Sequence, residues 1–437
     1  MKSITLLDLQ KMESDYLNNE KAKVVRRALY KNDISTISRV MEAEKDTIDV
    51  FSIDIETMSA TEQLASGRCW IFAACNVMRE KIAKKYNIKE FELSQNYLAF
   101  YDKLEKINLF LEICLLEKEN SLGSETLRYV LEMGIGDGGQ WNMLTSLVKK
   151  YGIVPKTAMN ETYQSSHTKV MSDLINQRLR KFAAQTKRMD DKQAQIEKDK
   201  VLSDCYRLLC NCFGVPPKTF NFEFKDKDNK HQVYYDITPN QFYEEYLEYN
   251  LDEYIGIIHG PTSDKPYHEM YTVKYLGNVV DGDPVSFLNL PMDEFKDVIL
   301  KQLKDYNLVW FGCDCSALGD RTLGIWDDNQ FDYNNTFDID FDMSKEDMLD
   351  TRHSAMNHAM CFSGVNLVND KPNRFKIENS WGEKIARKGY FVCSDSWFDK
   401  YVYQAVVNKK YLNEKQLECL SKKPKELLPW DPFGTLA

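Results

Sequence analysis

Gln63-Leu64-Ala65-Ser66-Gly67-Arg68-Cys69-Trp70, continued by IFAACNVMREKIAKKY to Tyr86, places a thiol at the start of a helix. From Cys69 onward, apolar residues recur at helical spacing, at Phe72, Cys75, Val77 with Met78, and Ile82. Basic residues gather in the last turn, where the helix dipole favours them. A free thiol with a pKa near about 8.5 is mostly protonated at neutral pH. A helix N-terminus is one of the two aids that make it a nucleophile, and an adjacent imidazole is the other.

Two later segments supply the remaining parts. Asn357-His358-Ala359 offers an imidazole, and Asn379-Ser380-Trp381-Gly382 offers an amide to hold that ring in one tautomer and orientation. When a thiolate attacks a peptide carbonyl, charge develops on oxygen; the Cys69 backbone N–H and the Gln63 side-chain amide are placed to receive it. Trp70 and Trp381 are supporting residues, Trp381 as a shield over the His–Asn hydrogen bond. Of six histidines only His358 stands in such a context; His353, its nearest competitor, sits in an exposed-looking Arg-His-Ser setting.

The rest of the chain is consistent with an enzyme of this kind. It has 437 residues, 43% hydrophobic, 28% charged and 12% aromatic, the composition of a packed globular protein. A net charge of −10 argues against nucleic-acid partners. No apolar run is long enough to cross a membrane, and the first residues show no secretory apolar region. Eleven scattered cysteines, an odd count in a chain this long, fit reduced thiols and a cytoplasmic location.

Helical patterns fill the first half, at 6–17, 22–29, 69–86, 94–116 and 124–133. Short β-rich runs fill the second, at 233–237, 255–259, 272–276, 279–282, 308–313, 359–368 and 389–393. Helices first and strands later predict an α+β fold. Residues 1–60 read as an N-terminal extension and 61–437 as the catalytic region. Residues 168–212 read as a helical insertion, a stripe of Met171, Leu174, Ile175, Leu179, Phe182 and Ala183 followed by a solvated charged arm. Residues 425–437 read as a C-terminal arm whose Trp430, Phe433 and Leu436 are apolar enough to dock.

QLASGRCW, NHAM and ENSWGE resemble the Gln…Cys-Trp, His and Asn segments of papain-like cysteine peptidases. Ser66 replaces the first Cys of their C-G-[SA]-C-[WY] signature, and His358 follows Cys69 at far more than the usual spacing of about 130–150 residues. GDGGQW, VWFGCD and the terminal WDPFGTLA are similar to the bleomycin hydrolase and bacterial aminopeptidase C family. That resemblance implies a papain-like fold with a helical left and a β-rich right domain, and a cytosolic aminopeptidase of broad specificity. It implies a homohexameric ring, with residues 168–212 as the oligomerisation insertion. It also implies that Gly138 and Gly139 bind substrate backbone, and that the C-terminal arm lies in the cleft with the Ala437 carboxylate on the free amino group of the peptide. Two alternatives stay open on sequence alone: a cysteine endopeptidase of the same branch, and a ring that binds peptide or nucleic acid with secondary hydrolase activity.

Other motifs weigh less. GIGDGG follows a helical pattern rather than a strand, which argues against dinucleotide binding. Asp338, Asp340 and Asp342 begin like a calcium loop, but Met343 and Leu349 stand where Gly and Glu are required. Cys210-x-Cys212 and Cys313-x-Cys315 lack zinc spacing and read as buried thiols. No cofactor or metal is expected.

Overall fold

The computed structural model describes every residue except Asp46 and Ala437. Helices dominate the first half and strands the second, so the α+β class read from the sequence is the class observed. Helix Cys69–Lys85 is central. Every residue from Cys69 to Arg79 is buried, because helices cover one side and strand His358–Val368 the other. Helix Gln95–Leu116 packs beside it, capped by the Ser94 hydroxyl, which accepts from the Tyr97 N–H.

Residues 168–212 form two helices rather than one protruding arm. Lys169–Thr186 buries Met171, Ile175, Leu179, Phe182 and Ala183 but leaves Leu174 exposed. Asp190 caps a second helix, Asp191–Phe213, which packs on Gln95–Leu116 through Ala194, Val201, Cys205 and Leu209. Its charged run is therefore only partly solvated; Lys198 is buried and pairs with Glu112.

Among the described residues twelve strands form one sheet. At its centre Val309–Cys313, buried at all five positions, lies antiparallel between Val402–Asn408 and His358–Val368. Lys371–Glu378 and Tyr390–Ser394 continue the sheet beyond His358–Val368. Ile53–Asp54 of the N-terminal segment pairs with Val365 and Gly364. Residues 279–282 form no strand. Asp281-Gly282-Asp283-Pro284 is turn chemistry, and the Asp283 N–H donates to the Ser146 hydroxyl at 3.0 Å.

All eleven cysteines are free. Cys313 is buried in the core, whereas Cys210, Cys212 and Cys315 are partly buried against it rather than fully buried as expected. Among the described residues no helix is long and apolar enough to cross a membrane.

Candidate active site

Sheet register and one helix start bring the distant segments together. His358 opens its strand opposite Cys313, and its neighbour Ala359 donates a backbone N–H to Cys69 Sγ at 3.4 Å. Asn379 follows the last residue of the adjacent strand, where Glu378 pairs with Cys361. Helix and strand are locked by a buried ion pair: Arg79, on the Cys69 helix, donates to Glu378 Oε1 at 2.9 Å. Arg79 and Glu378 escaped sequence reading, because an Arg within a helix says nothing of a partner 299 positions away.

The ring of His358 is fixed by a chain of directional bonds. Asn379 Oδ1 accepts from the Ser380 backbone N–H at 2.7 Å, so that atom is the amide oxygen. The same oxygen lies 2.8 Å from His358 Nε2, which must then be the protonated nitrogen. Nδ1 is left with its lone pair, ready to take a proton. Trp381 stacks on the imidazole with centroids 5.0 Å apart. The Arg321 guanidinium lies 3.8 Å from the centre of the same Trp381 ring, a placement no motif signalled.

Gln63 is held on three sides. Its backbone N–H donates to Ser380 O at 2.9 Å, its Oε1 accepts from the Ser380 hydroxyl at 2.7 Å, and its Nε2 donates to Ser66 O at 2.6 Å. One amide hydrogen remains without a protein acceptor among the described residues. Ser66, standing where the papain-like signature has Cys, donates to Gln63 O at 2.7 Å and accepts from Arg68 Nε at 3.0 Å. Arg68 in turn pairs with Glu161 at 2.8 Å. A hydroxyl thus replaces a disulfide partner with a hydrogen-bonded turn just before Cys69.

Burial works against a charge on Cys69 or on His358 taken alone. It pushes the Cys69 thiol up to about 11, against the N–H groups of Ala359, Trp70 and Cys69, which favour the thiolate. It holds His358 down to about 4, against the Asn379 hydrogen bond and with help from the Arg321 charge. For each group taken alone burial disfavours its charge, whereas in the thiolate–imidazolium pair expected from sequence the two charges would offset each other.

The loop 134–140 lies against this helix start. Trp70 Nε1 donates to Asp137 O at 2.7 Å, and a Cβ on Gly139 would fall 2.5 Å from the Trp70 ring, so only glycine fits there. Two lysines buried in helix Gln95–Leu116 hold the loop from beneath. Lys103 pairs with Asp137 at 2.6 Å and donates to Gly136 O at 2.8 Å. Lys106 pairs with Asp102 at 2.7 Å and donates to Gly138 O. Asp137 also accepts from the Gly67 N–H at 2.9 Å and from the Thr168 hydroxyl, tying the loop to the residues before Cys69. Lysines three apart in a helix rich in apolar residues were the one available sequence signal for this network.

The C-terminal segment docks. Phe433 is buried against Gly260, and its carbonyl accepts from Gln140 Nε2 at 3.3 Å. Asp431 pairs with Lys265 at 3.0 Å. The Thr435 hydroxyl donates to Met356 O at 2.8 Å, and Leu436 is buried over Gly312, within two residues of His358 and its partner Cys313. Ala437, assigned a substrate contact from the family resemblance, lies outside the described residues. His353 is exposed, and among the described residues no cluster of three His, Cys, Asp or Glu is placed to hold a metal.

Comparison with known proteins agrees along the whole length. The model of the Peptidase C1-like family matches residues 3–434. Aminopeptidase C of Lactobacillus delbrueckii subsp. lactis is 43% identical over 444 residues, covering 100% of this chain and 99% of that protein. Aminopeptidase C of Listeria innocua serovar 6a is 42% identical and covers 99% of both. The solved structure of pepw from Lactobacillus rhamnosis HN001 superposes with a TM-score of 0.97 at 43% identity, covering 100% of this chain and 99% of that one. With its α+β fold and its full-length relatives, the chain belongs to the Peptidase C1-like family, of papain-like cysteine peptidases.

Proposed function

We propose that this chain is a cysteine aminopeptidase that removes N-terminal residues from peptides, with Cys69 as nucleophile, His358 as acid and base, Asn379 as the residue that orients it, and Gln63 in the oxyanion hole. The observation that carries the chemistry is the fixed tautomer of His358: Nε2–H on Asn379, Nδ1 free. Cys69 gives its proton to Nδ1 and its sulfur bonds to the substrate carbonyl carbon. The oxygen that gains charge receives the Cys69 N–H and the spare hydrogen of Gln63. The imidazolium protonates the leaving amine, the C–N bond breaks, and a thioester remains. Water then gives a proton to Nδ1, attacks the thioester and regenerates the thiol.

The restriction to free amino termini is supported by the relatives named aminopeptidase C and by the docking of the C-terminal segment beside the His358 strand. We assign the terminal carboxylate of Ala437 to the substrate ammonium, and Gly138 and Gly139 to the substrate backbone. Helix Leu6–Asn18, with no buried residue and Leu6, Leu7, Leu9, Met12 and Leu17 exposed, supports assembly with further copies of the chain, read as a hexamer. Eleven free thiols support a reducing, cytosolic setting.

The test compares an N-terminally free peptide with its acetylated form, in the intact chain and in one lacking Phe433–Ala437. The intact enzyme should cleave only the free form, and the shortened one should admit the blocked form. Efficient cleavage of the blocked peptide by the intact enzyme would make it an endopeptidase.

A further inference from the structure

Arg321 stands out among the charged residues near the site. It is exposed, yet among the described residues no carboxylate comes within 4.0 Å of it. The turn that carries it is tightly closed. Asp320 Oδ1 accepts from the N–H groups of Thr322 at 2.8 Å and Leu323 at 3.0 Å, and Asp320 O accepts from the Gly324 N–H at 2.9 Å. The other Asp320 oxygen binds Arg39. The turn carries Arg321 over the Trp381 ring, with guanidinium N–H groups that no group among the described residues accepts from. Asp314, across the site, is no competitor: it accepts from Ser354 at 2.8 Å and from Asn357 at 2.6 Å.

A cation here works against the site's chemistry. Catalysis requires a positive imidazole at His358, and Arg321 works against that charge. Stacking on the same indole keeps the two within about 9 Å of each other. An anion bound by Arg321 beside Trp381 would offset the repulsion. Such an anion is built into the shortest substrates. In a dipeptide the α-carboxylate lies two bonds from the amide nitrogen that His358 protonates, about 3 Å away. Each further residue would carry it about 3.3–3.6 Å onward.

We propose that Arg321 is a specificity-determining residue that binds the C-terminal carboxylate of the leaving portion, favouring dipeptides and other very short peptides. The proposal rests on the aminopeptidase reading above. It also places this reaction downstream of peptide-shortening hydrolysis, since its preferred substrates are the end products of such cleavage.

The experiment measures kcat and KM for the unblocked dipeptide Leu-Leu and for its C-terminal amide, with the intact enzyme and with Arg321→Gln and Arg321→Lys. The intact enzyme should prefer the free acid by about fivefold in kcat/KM at low salt, as one exposed charge pair allows, and less at high salt. Arg321→Gln should bring the ratio close to one, chiefly through KM for the acid, and Arg321→Lys should keep part of the preference. An unchanged acid-to-amide ratio in Arg321→Gln, or an equal loss on both substrates, would overturn the proposal. Failure of the intact enzyme to cleave either substrate would instead refute the aminopeptidase reading.

Discussion

Replacing Asn379 by Ala should slow the chemical step far more than it weakens binding. In the resting site the side chain accepts one neutral N–H from His358 at 2.8 Å, worth about 1 kcal/mol net. When the ring becomes imidazolium the same bond is charge-assisted and worth about twice to three times as much. The difference, about 1–2 kcal/mol, is stabilisation realised only once the proton has moved, so kcat should fall about five- to thirtyfold with KM nearly unchanged. The substitution also strands the Ser380 N–H and the His358 N–H in a buried site, costing about 1–3 kcal/mol of stability. Urea unfolding measures that loss, and steady-state kinetics on an unblocked aminoacyl amide measures the rate. A folded variant with kcat within threefold of the original, or a loss confined to KM, would refute the idea that Asn379 fixes the tautomer.

Two further outcomes follow from the geometry. Gly139→Ala drives a methyl group into Trp70, which is fully buried and pinned to Asp137, so stability should drop by about 1–3 kcal/mol in urea titration; an unchanged midpoint would mean the loop yields freely. His259 is buried on the Leu290 carbonyl and burial holds it down to about 3. Because the unfolded chain takes up that proton first, the stability it contributes is present above about pH 6.5 and lost as pH falls toward 3, roughly 3 kcal/mol between pH 7 and 4.5. His259→Gln should flatten that dependence in unfolding experiments, and identical pH slopes for both proteins would contradict it.

Much of the site was legible because its chemistry is carried by short segments. Cys69 announces a helix start, and the contexts of His358 and Asn379 fit the two remaining roles before any contact is known. What sequence could not show are relations set by long-range packing. The charged run after the 168–183 stripe looked like a solvated arm, because periodicity and charge do not name what an element packs on; helix Gln95–Leu116 packs on both helices. The strand expected at 279–282 lost to turn residues that follow at once. Arg321 and Trp381 are sixty positions apart, and Lys103 and Lys106 reach under a loop some thirty residues on, so neither relation leaves a local signature. Helix start and neighbouring imidazole favour charge on this pair, but the depth of burial that opposes either charge alone is invisible in sequence.

The central claim is that amide cleavage passes through a thioester on Cys69. The most direct measurement is acid quenching during turnover of an unblocked amino-acid ester, followed by mass analysis of the digested protein. The account predicts an aminoacyl group on the peptide bearing Cys69, and no adduct or turnover in Cys69→Ala. An acyl group on any of the other ten thiols, or continued turnover by Cys69→Ala, would contradict it.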